Sequence, residues 1–417
     1  MDGRLTACAR RSPLSYPWTM RGVAMVVVTC ALALGCDGSE QPTVTSPPTD
    51  LPAGYPDPLV FADGRRVATK EEWIERRKEI LELFREHVYG RAPGPPESLR
   101  FEVLEDESSA MDGKATLRRV AIKSTHAGRE HSFELVRLAP ATAAPSGVFL
   151  LLNNRPASNT DPTRAKKSPF WPAEQVIARG FAIAAIQTSE LAPDDAATYA
   201  AGVIRLFEGD GAGPRPPDAW KAIGAWSWGA MRAMDYLVTD PRVDRAHVAV
   251  LGHSRAGKAA LWAGAQDERF SVTISNESGC AGAALSRRPV GETVAGINLI
   301  FPHWFAENFR KYGGNEDTLP VDQHMLLAAI APRGLAVGSA ANDEWSDPEG
   351  EYLGLAYASS AFALFGGARI EPGGMPPVGG SIFVGPRGYH LRPGDHDLIE
   401  LDWQRYMDAA ERVWARP

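Results

Sequence analysis

The stretch VAVLGHSRAGKAALWAG, residues 248–264, decides how the chain is read. An apolar run ends in Gly252-His253-Ser254, and an Ala- and Gly-rich segment follows at once. A strand that turns directly into a helix around a serine has the layout of a nucleophile elbow, whose form is G-x-S-x-G. Here the fifth position is Ala256, and the second glycine, Gly257, comes one residue late. Small residues at 252, 256 and 257 nevertheless let strand and helix approach closely around Ser254. The motif alone is weak, and its placement after an apolar strand strengthens it.

Working outward, LRFEVLEDE, KATLRRVAIKST, HSFELVRLAP and SGVFLLLNN read as strands on the N-terminal side. GFAIAAIQTSE, HVAVLGHS, RFSVTISNES, RGLAVGSAAND and GSIFVGP continue the series. Helical patterns lie between them, among them AIGAWSWGAMRAMDYLVTD and GEYLGLAYASSAFALFG, and TKEEWIERRKEILELFREHVYG opens the ordered part of the chain. Continuously apolar strands alternating with helices predict a mostly parallel sheet covered on both faces, a three-layer α/β architecture. Nothing after residue 55 reads as a second linker, so residues 55–417 are expected to form one domain.

In such a sheet, sites gather at the carboxyl ends of the strands. A serine nucleophile needs a histidine base and an acid to orient it, and in this fold class they follow in the order Ser, acid, His. His396, in LRPGDHDLIELDW, lies between the last expected strand and a final helix, where the base belongs; His390 is the runner-up. Asp343, in SAANDEW, and Glu277, in ISNESG, each end a strand, and order alone does not separate them. His303 and Trp304, in FPHWF, read as packing or cleft lining. Neither H-x-x-H, C-x-x-C, an Asp-rich loop nor a Gly-rich phosphate loop occurs, so neither metal nor cofactor is expected.

The chain of 417 residues is 44% hydrophobic and 23% charged, with a formal charge of −7. Arg4, Arg10, Arg11 and Arg21 precede Cys36 against Asp2 alone, so the remainder is more acidic still. With no long Lys/Arg run, it carries no footprint for nucleic acid. The apolar run GVAMVVVTCALALG is short for a bilayer span and suits a secretory signal. It ends in ALGC, resembling a lipoprotein cleavage site with Cys36 as the lipidated residue. The expected organisation is a signal over residues 1–36, a Pro/Ser/Thr-rich tether over 37–54, and the domain. Loss of Cys8 and Cys30 with the signal and lipidation of Cys36 would leave Cys280 alone, with no internal disulfide. The product would be an exported monomer, attached to the cell envelope or secreted, touching a membrane only through its anchor.

GHSRAGK has the G-x-S-R-x-G-K form of the glucuronoyl esterases, carbohydrate esterase family 15, and that form allows Ala256. WIERRKEILELFREHVYG, ESGCAGAALSRR, GETVAGINLIFPHWFAENFRKY, LPVDQHMLLAAIAPRGLAV, NDEW and PGDHDL resemble the bacterial branch of the same family, in the same order, over most of residues 70–400. The resemblance implies an α/β-hydrolase fold and hydrolysis of esters of (4-O-methyl-)glucuronic acid, as in lignin–glucuronoxylan cross-links. It implies Ser254 as nucleophile and His396 as base, with the acid at the Glu277 position in some members, at the Asp343 position in others and at both in some. This chain carries both, and Glu277 is expected as the main orienter with Asp343 as second partner. Arg255 would hold the oxyanion through its backbone N–H and guanidinium, and Lys258, Glu292 and Trp345 would contact the sugar. An acetyl xylan esterase-like enzyme on the same fold is the nearest alternative, and a non-catalytic carbohydrate-binding lipoprotein a more distant one.

Overall fold

The computed structural model describes residues 51–142, 144–210 and 213–415. The expected signal, Cys36 and nearly all of the tether lie outside the described residues. The elements below belong to one unit spanning Val44–Pro417.

Ten strands form one sheet. They are β1 (Ser98–Ser109), β2 (Ala115–His126), β3 (Arg129–Pro140), β4 (Ser146–Asn153) and β5 (Ala182–Gln187). β6 (Val243–His253), β7 (Val272–Asn276), β8 (Gly334–Ala340), β9 (Ser381–Val384) and β10 (Arg387–Arg392) complete it. Their spatial order is β1-β2-β3-β5-β4-β6-β7-β8-β10-β9. Pairings from β5 through β10 are all parallel. β1, β2 and β3 form an antiparallel flank against β5, and β9 closes the other edge antiparallel to β10.

The alternation of side chains across a strand explains why the central strands are apolar throughout. Val148, Leu150 and Leu152 of β4 enter one core, while Phe149 and Leu151 enter the other. The first core lies under the helices Ala222–Leu237 and Arg255–Gln266, the second under Glu400–Trp414. The opening helix, Lys70–Phe84, starts in a capping box between Thr69 and Glu72 and buries Trp73, Ile80 and Phe84.

One strand differs from expectation. GSIFVGP is the antiparallel edge β9, and the strand that leads into the His396 loop is β10, RGYHLR. It is buried along its whole length yet carries Arg387, His390 and Arg392. Arg387 donates to Ser359 Oγ and the Ala368 carbonyl and His390 pairs with Asp402, which offsets part of the cost of burying them, although Arg387 Nε has no partner.

The link between β6 and the helix Arg255–Gln266 is close-packed. A Cβ at Gly252 would overlap the carbonyl oxygen of Ala256, and one at Gly257 would lie 3.0 Å from the Cβ of Ser278. Gly252→Ala therefore forces the elbow open. It is expected to cost on the order of 3 kcal/mol, read as a lower urea midpoint, with the overlap of the new Cβ on the Ala256 carbonyl as the cause; an unchanged midpoint would refute this account of the turn.

Candidate active site

Ser254 stands where β6 becomes a helix, with φ 58° and ψ −128°. This backbone conformation is rare for a residue with a Cβ and is held by surrounding contacts. The Ser254 N–H donates to the Asn276 carbonyl of β7 at 2.8 Å, and the helix begins at the next residue. The side chain is half-buried, so a small group can reach it. Glu277, the residue after β7, also has a positive φ of 47°, and its N–H donates to the Gly338 carbonyl of β8 at 2.8 Å. Two non-glycine residues in strained geometry at neighbouring strand ends mark this edge of the sheet as the functional one.

His396 meets both carboxylates. Its Nδ1 is 2.6 Å from Asp343 Oδ2 and 3.2 Å from Glu277 Oε2. The ring also packs at 4.5 Å on the ring of His253, the residue before Ser254. His253 is buried, and its Nδ1 lies 2.6 Å from Asn276 Oδ1. Burial and the neighbouring His396 push its pKa well below the usual histidine range, so it is a neutral support.

Sequence reasoning put Glu277 ahead of Asp343, whereas the distances put Asp343 nearer. Glu277 is occupied elsewhere: Oε1 accepts from Arg392 Nη2 at 2.6 Å and Oε2 from the Asp397 N–H at 2.9 Å. Arg392 also grips Asp402 at 3.0 Å and donates to the carbonyls of Asp395 and Asp397 at 2.8 Å each. The guanidinium thus ties β10, the His396 loop and the C-terminal helix to the end of β7. Sequence reasoning missed Arg392, because an arginine in a buried strand has no apolar signature.

Electrostatics separates the two acids as well. Burial pulls His396 down, but Asp343 and Glu277 outweigh it and raise its pKa to about 9. Asp343 moves reciprocally: burial raises it, and its bonds to His396 and Ser346 bring it below the usual range. Glu277 goes up to about 7 because burial exceeds the help from His396 and Arg392. Asp343 is the ionised partner that favours an imidazolium. The ligand atoms of Glu277, Asp343 and His396 lie within 4.8 Å of one another, a spacing that could suit a cation. Each already bonds a protein group, however, so the set is a complete hydrogen-bonded triad in itself.

On the other side of Ser254, Arg255 pairs with Asp194 and lies over the rings of Trp304, at 5.0 Å, and Phe301, at 5.6 Å. Asp194 was missed in a polar loop, LAPDD, that carries no motif. Among the expected sugar contacts, Lys258 Nζ donates to Glu292 Oε2 at 2.6 Å and to the carbonyls of Ser278 and Cys280 at 2.7 and 2.6 Å. All three ammonium protons are therefore engaged within the protein. Glu292 in turn donates its backbone N–H to the Trp345 carbonyl at 2.8 Å. A Cβ at the preceding Gly291 would overlap that same carbonyl, so only glycine permits the approach. Trp345 is 51% exposed and forms part of the wall of a cleft of about 680 Å3, with Val290, Pro348 and Met375. Lys258, Glu292 and Trp345 are thus brought together, two buried and one open to ligand. The remaining cysteine within the described residues, Cys280, is free and buried.

A serine on such a turn, in a sheet of this order, places the chain among the α/β-hydrolases, the class that cleaves esters and related acyl bonds by covalent catalysis. Comparison with known proteins narrows that class. Residues 217–366 match the family described as "Glucuronyl esterase, fungi". The 4-O-methyl-glucuronoyl methylesterase of Schizophyllum commune is 30% identical over 337 residues, 79% of this chain and 77% of that protein. A glucuronoyl esterase from Solibacter usitatus superposes with a TM-score of 0.80 at 39% identity, covering 86% of this chain and 97% of that one. A promiscuous family 15 esterase from a marine bacterial metagenome gives 0.77 at 35% identity, covering 86% and 96%. The chain belongs to the glucuronoyl esterases of carbohydrate esterase family 15, a family of carboxylic ester hydrolases.

The two acids make separable predictions. Asp343→Asn is expected to lower kcat about 10- to 100-fold, because the imidazolium loses its ionised partner. The same change lowers the pKa of His396, so the acid limb of the kcat/KM profile moves to lower pH, with an apparent pKa that belongs to the coupled cluster. Glu277→Gln leaves Arg392 short of a buried counter-charge and is expected to cost about 3 kcal/mol in denaturant unfolding. The reverse order, with Glu277→Gln the slower enzyme and Asp343→Asn the less stable one, would return the main role to Glu277.

Proposed function

We propose that the enzyme hydrolyses esters of glucuronic acid or its 4-O-methyl derivative carried on xylan, with Ser254 as the acylated residue. In this reading Ser254 Oγ attacks the ester carbonyl while His396 takes the hydroxyl proton. Asp343 holds His396 in the tautomer and orientation for that transfer and stabilises the imidazolium. The negative charge that develops on the carbonyl oxygen falls beside Arg255, whose backbone N–H belongs to the first turn of a helix and has no intrahelical acceptor. Collapse of the tetrahedral intermediate passes the proton from His396 to the departing alcohol. Water then attacks the acyl-enzyme with His396 again as base, releasing the uronic acid and Ser254.

The observation that carries the substrate reading is the Lys258–Glu292–Trp345 group. Lys258 and Glu292 are buried on each other, which keeps Glu292 aligned to accept from sugar hydroxyls. Lys258 acts on the sugar through Glu292, because its own donors are filled. Trp345 supplies an exposed indole two residues after Asp343, on backbone bonded to Glu292, so sugar recognition and the His396 support move as one piece. Lys258 lies in the helix that follows β6, Glu292 in the segment after β7 and Trp345 in the segment after β8.

We further propose export with attachment through Cys36, on the strength of the basic-then-apolar leader and the ALGC sequence. Among the described residues no helix is long and apolar enough to cross a membrane.

Ser254→Ala is expected to abolish release of benzyl alcohol from benzyl glucuronate, a loss of at least about 1,000-fold. Full activity in that variant would end the serine mechanism. Turnover of acetylated xylan faster than of the glucuronate ester by the unaltered protein would move the substrate assignment to the acetyl xylan esterase type.

A further inference from the structure

Arg255 is a long, flexible side chain, and a guanidinium that stabilises an oxyanion is useful only if it is already aimed when the charge develops. We propose that Asp194 is a positioning residue that fixes the Arg255 guanidinium for that task, and that His303 and Trp304 hold Asp194 in place. The proposal rests on the reading of Arg255 as the cation of the oxyanion site.

Three chain segments converge here. Asp194 comes from the loop after β5 and the short helix Thr188–Leu191, Arg255 from the elbow, and His303 and Trp304 from the segment after the helix Val294–Ile300. One Asp194 oxygen, Oδ2, takes the Arg255 guanidinium. The other, Oδ1, lies 2.8 Å from His303 Nε2 and accepts the Trp304 indole N–H at 2.7 Å. Burial would raise the Asp194 pKa, yet the His303 and Trp304 bonds and the Arg255 charge outweigh it and hold it at about 2. The carboxylate is therefore charged throughout the range in which an esterase works.

Trp304 does two jobs. Its N–H orients the anion, and its ring face carries the Arg255 cation at 5.0 Å. It is stacked on Phe301 at 3.7 Å and almost parallel. The backbone beneath is rigid as well: the Ala222 and Ile223 N–H groups, at the start of the helix Ala222–Leu237, donate to the His303 and Trp304 carbonyls at 3.0 and 3.2 Å. These are helix N–H groups with no intrahelical acceptor, so the helix start locks the clamp. Arg255 is left one-third exposed, while its Nε is buried without a hydrogen-bond partner.

Asp194→Asn keeps the shape and removes the charge. With benzyl glucuronate, kcat is expected to fall about 10- to 100-fold, no further than in Arg255→Ala, while KM stays within about twofold, since the loss is of transition-state alignment. Trp304→Phe, which keeps the ring but not the N–H, is expected to lose kcat in the same direction by a smaller factor. Because Asp194 acts through Arg255, Asp194→Asn in the Arg255→Ala background should cost nothing more. Asp194→Asn and Trp304→Phe as fast as the parent, or faster, while Arg255→Ala is impaired would overturn the proposal, as would multiplied losses in the double variant. Full activity in Arg255→Ala would instead overturn the reading of Arg255 itself, and this proposal with it.

Discussion

The buried guanidinium of Arg392 is the constraint on which the site depends. It joins Glu277 at the end of β7 to Asp402 in the C-terminal helix and takes two carbonyls from the loop between. A cation so placed is stable only while both carboxylates face it, and each carboxylate is stable only while the cation is there. The loop carrying His396 is therefore not free to drift: its shape is dictated by where Arg392 finds acceptors. From that follows the meeting of His396 with Asp343, and the packing of its ring on His253 beside Ser254.

Around this brace the charges are graded by position. Asp343 is closest to His396 and stays ionised; Glu277 is more deeply buried and has already given most of its capacity to Arg392 and the Asp397 N–H. On the far side of Ser254 a second cation, Arg255, is balanced by Asp194. Ser254 is flanked in sequence by His253, which packs on the ring of the His396–Asp343 pair, and by Arg255 of the Arg255–Asp194 pair. Both pairs are hydrogen-bonded before substrate arrives, so little rearrangement is required during the reaction.

Much of this was legible in the residues. Strands such as SGVFLLLNN and HVAVLGHS announce themselves because burial on both faces demands apolar side chains throughout, and the Ser254 turn is legible because Gly252, Ala256 and Gly257 leave room for nothing larger. What remained hidden was polar. RGYHLR does not read as a buried strand, since its burial depends on partners far away in the chain, Glu277 and Ser359 among them. The ranking of Glu277 over Asp343 failed to anticipate the geometry for the same reason: both end a strand, and only the presence of Arg392 decides which is free to serve His396. Asp194 lay in a loop of ordinary turn composition, and His303 and Trp304 read as packing because the carboxylate they hold was out of view.

The backbone bond between Glu292 and Trp345 has a consequence for adaptation. Gly291 must remain a glycine for that bond to form, and Trp345 follows Asp343 by two residues, so the segment proposed to contact the sugar is physically the segment that carries the carboxylate bonded to His396. Drift toward a different sugar by reshaping this loop would disturb proton transfer at the same time. The wall of the same cleft made by Met375 and Val378 comes from a separate segment, just before β9. New specificities in relatives of this enzyme should therefore arise by change on that wall, leaving the indole and its carboxylate where they are.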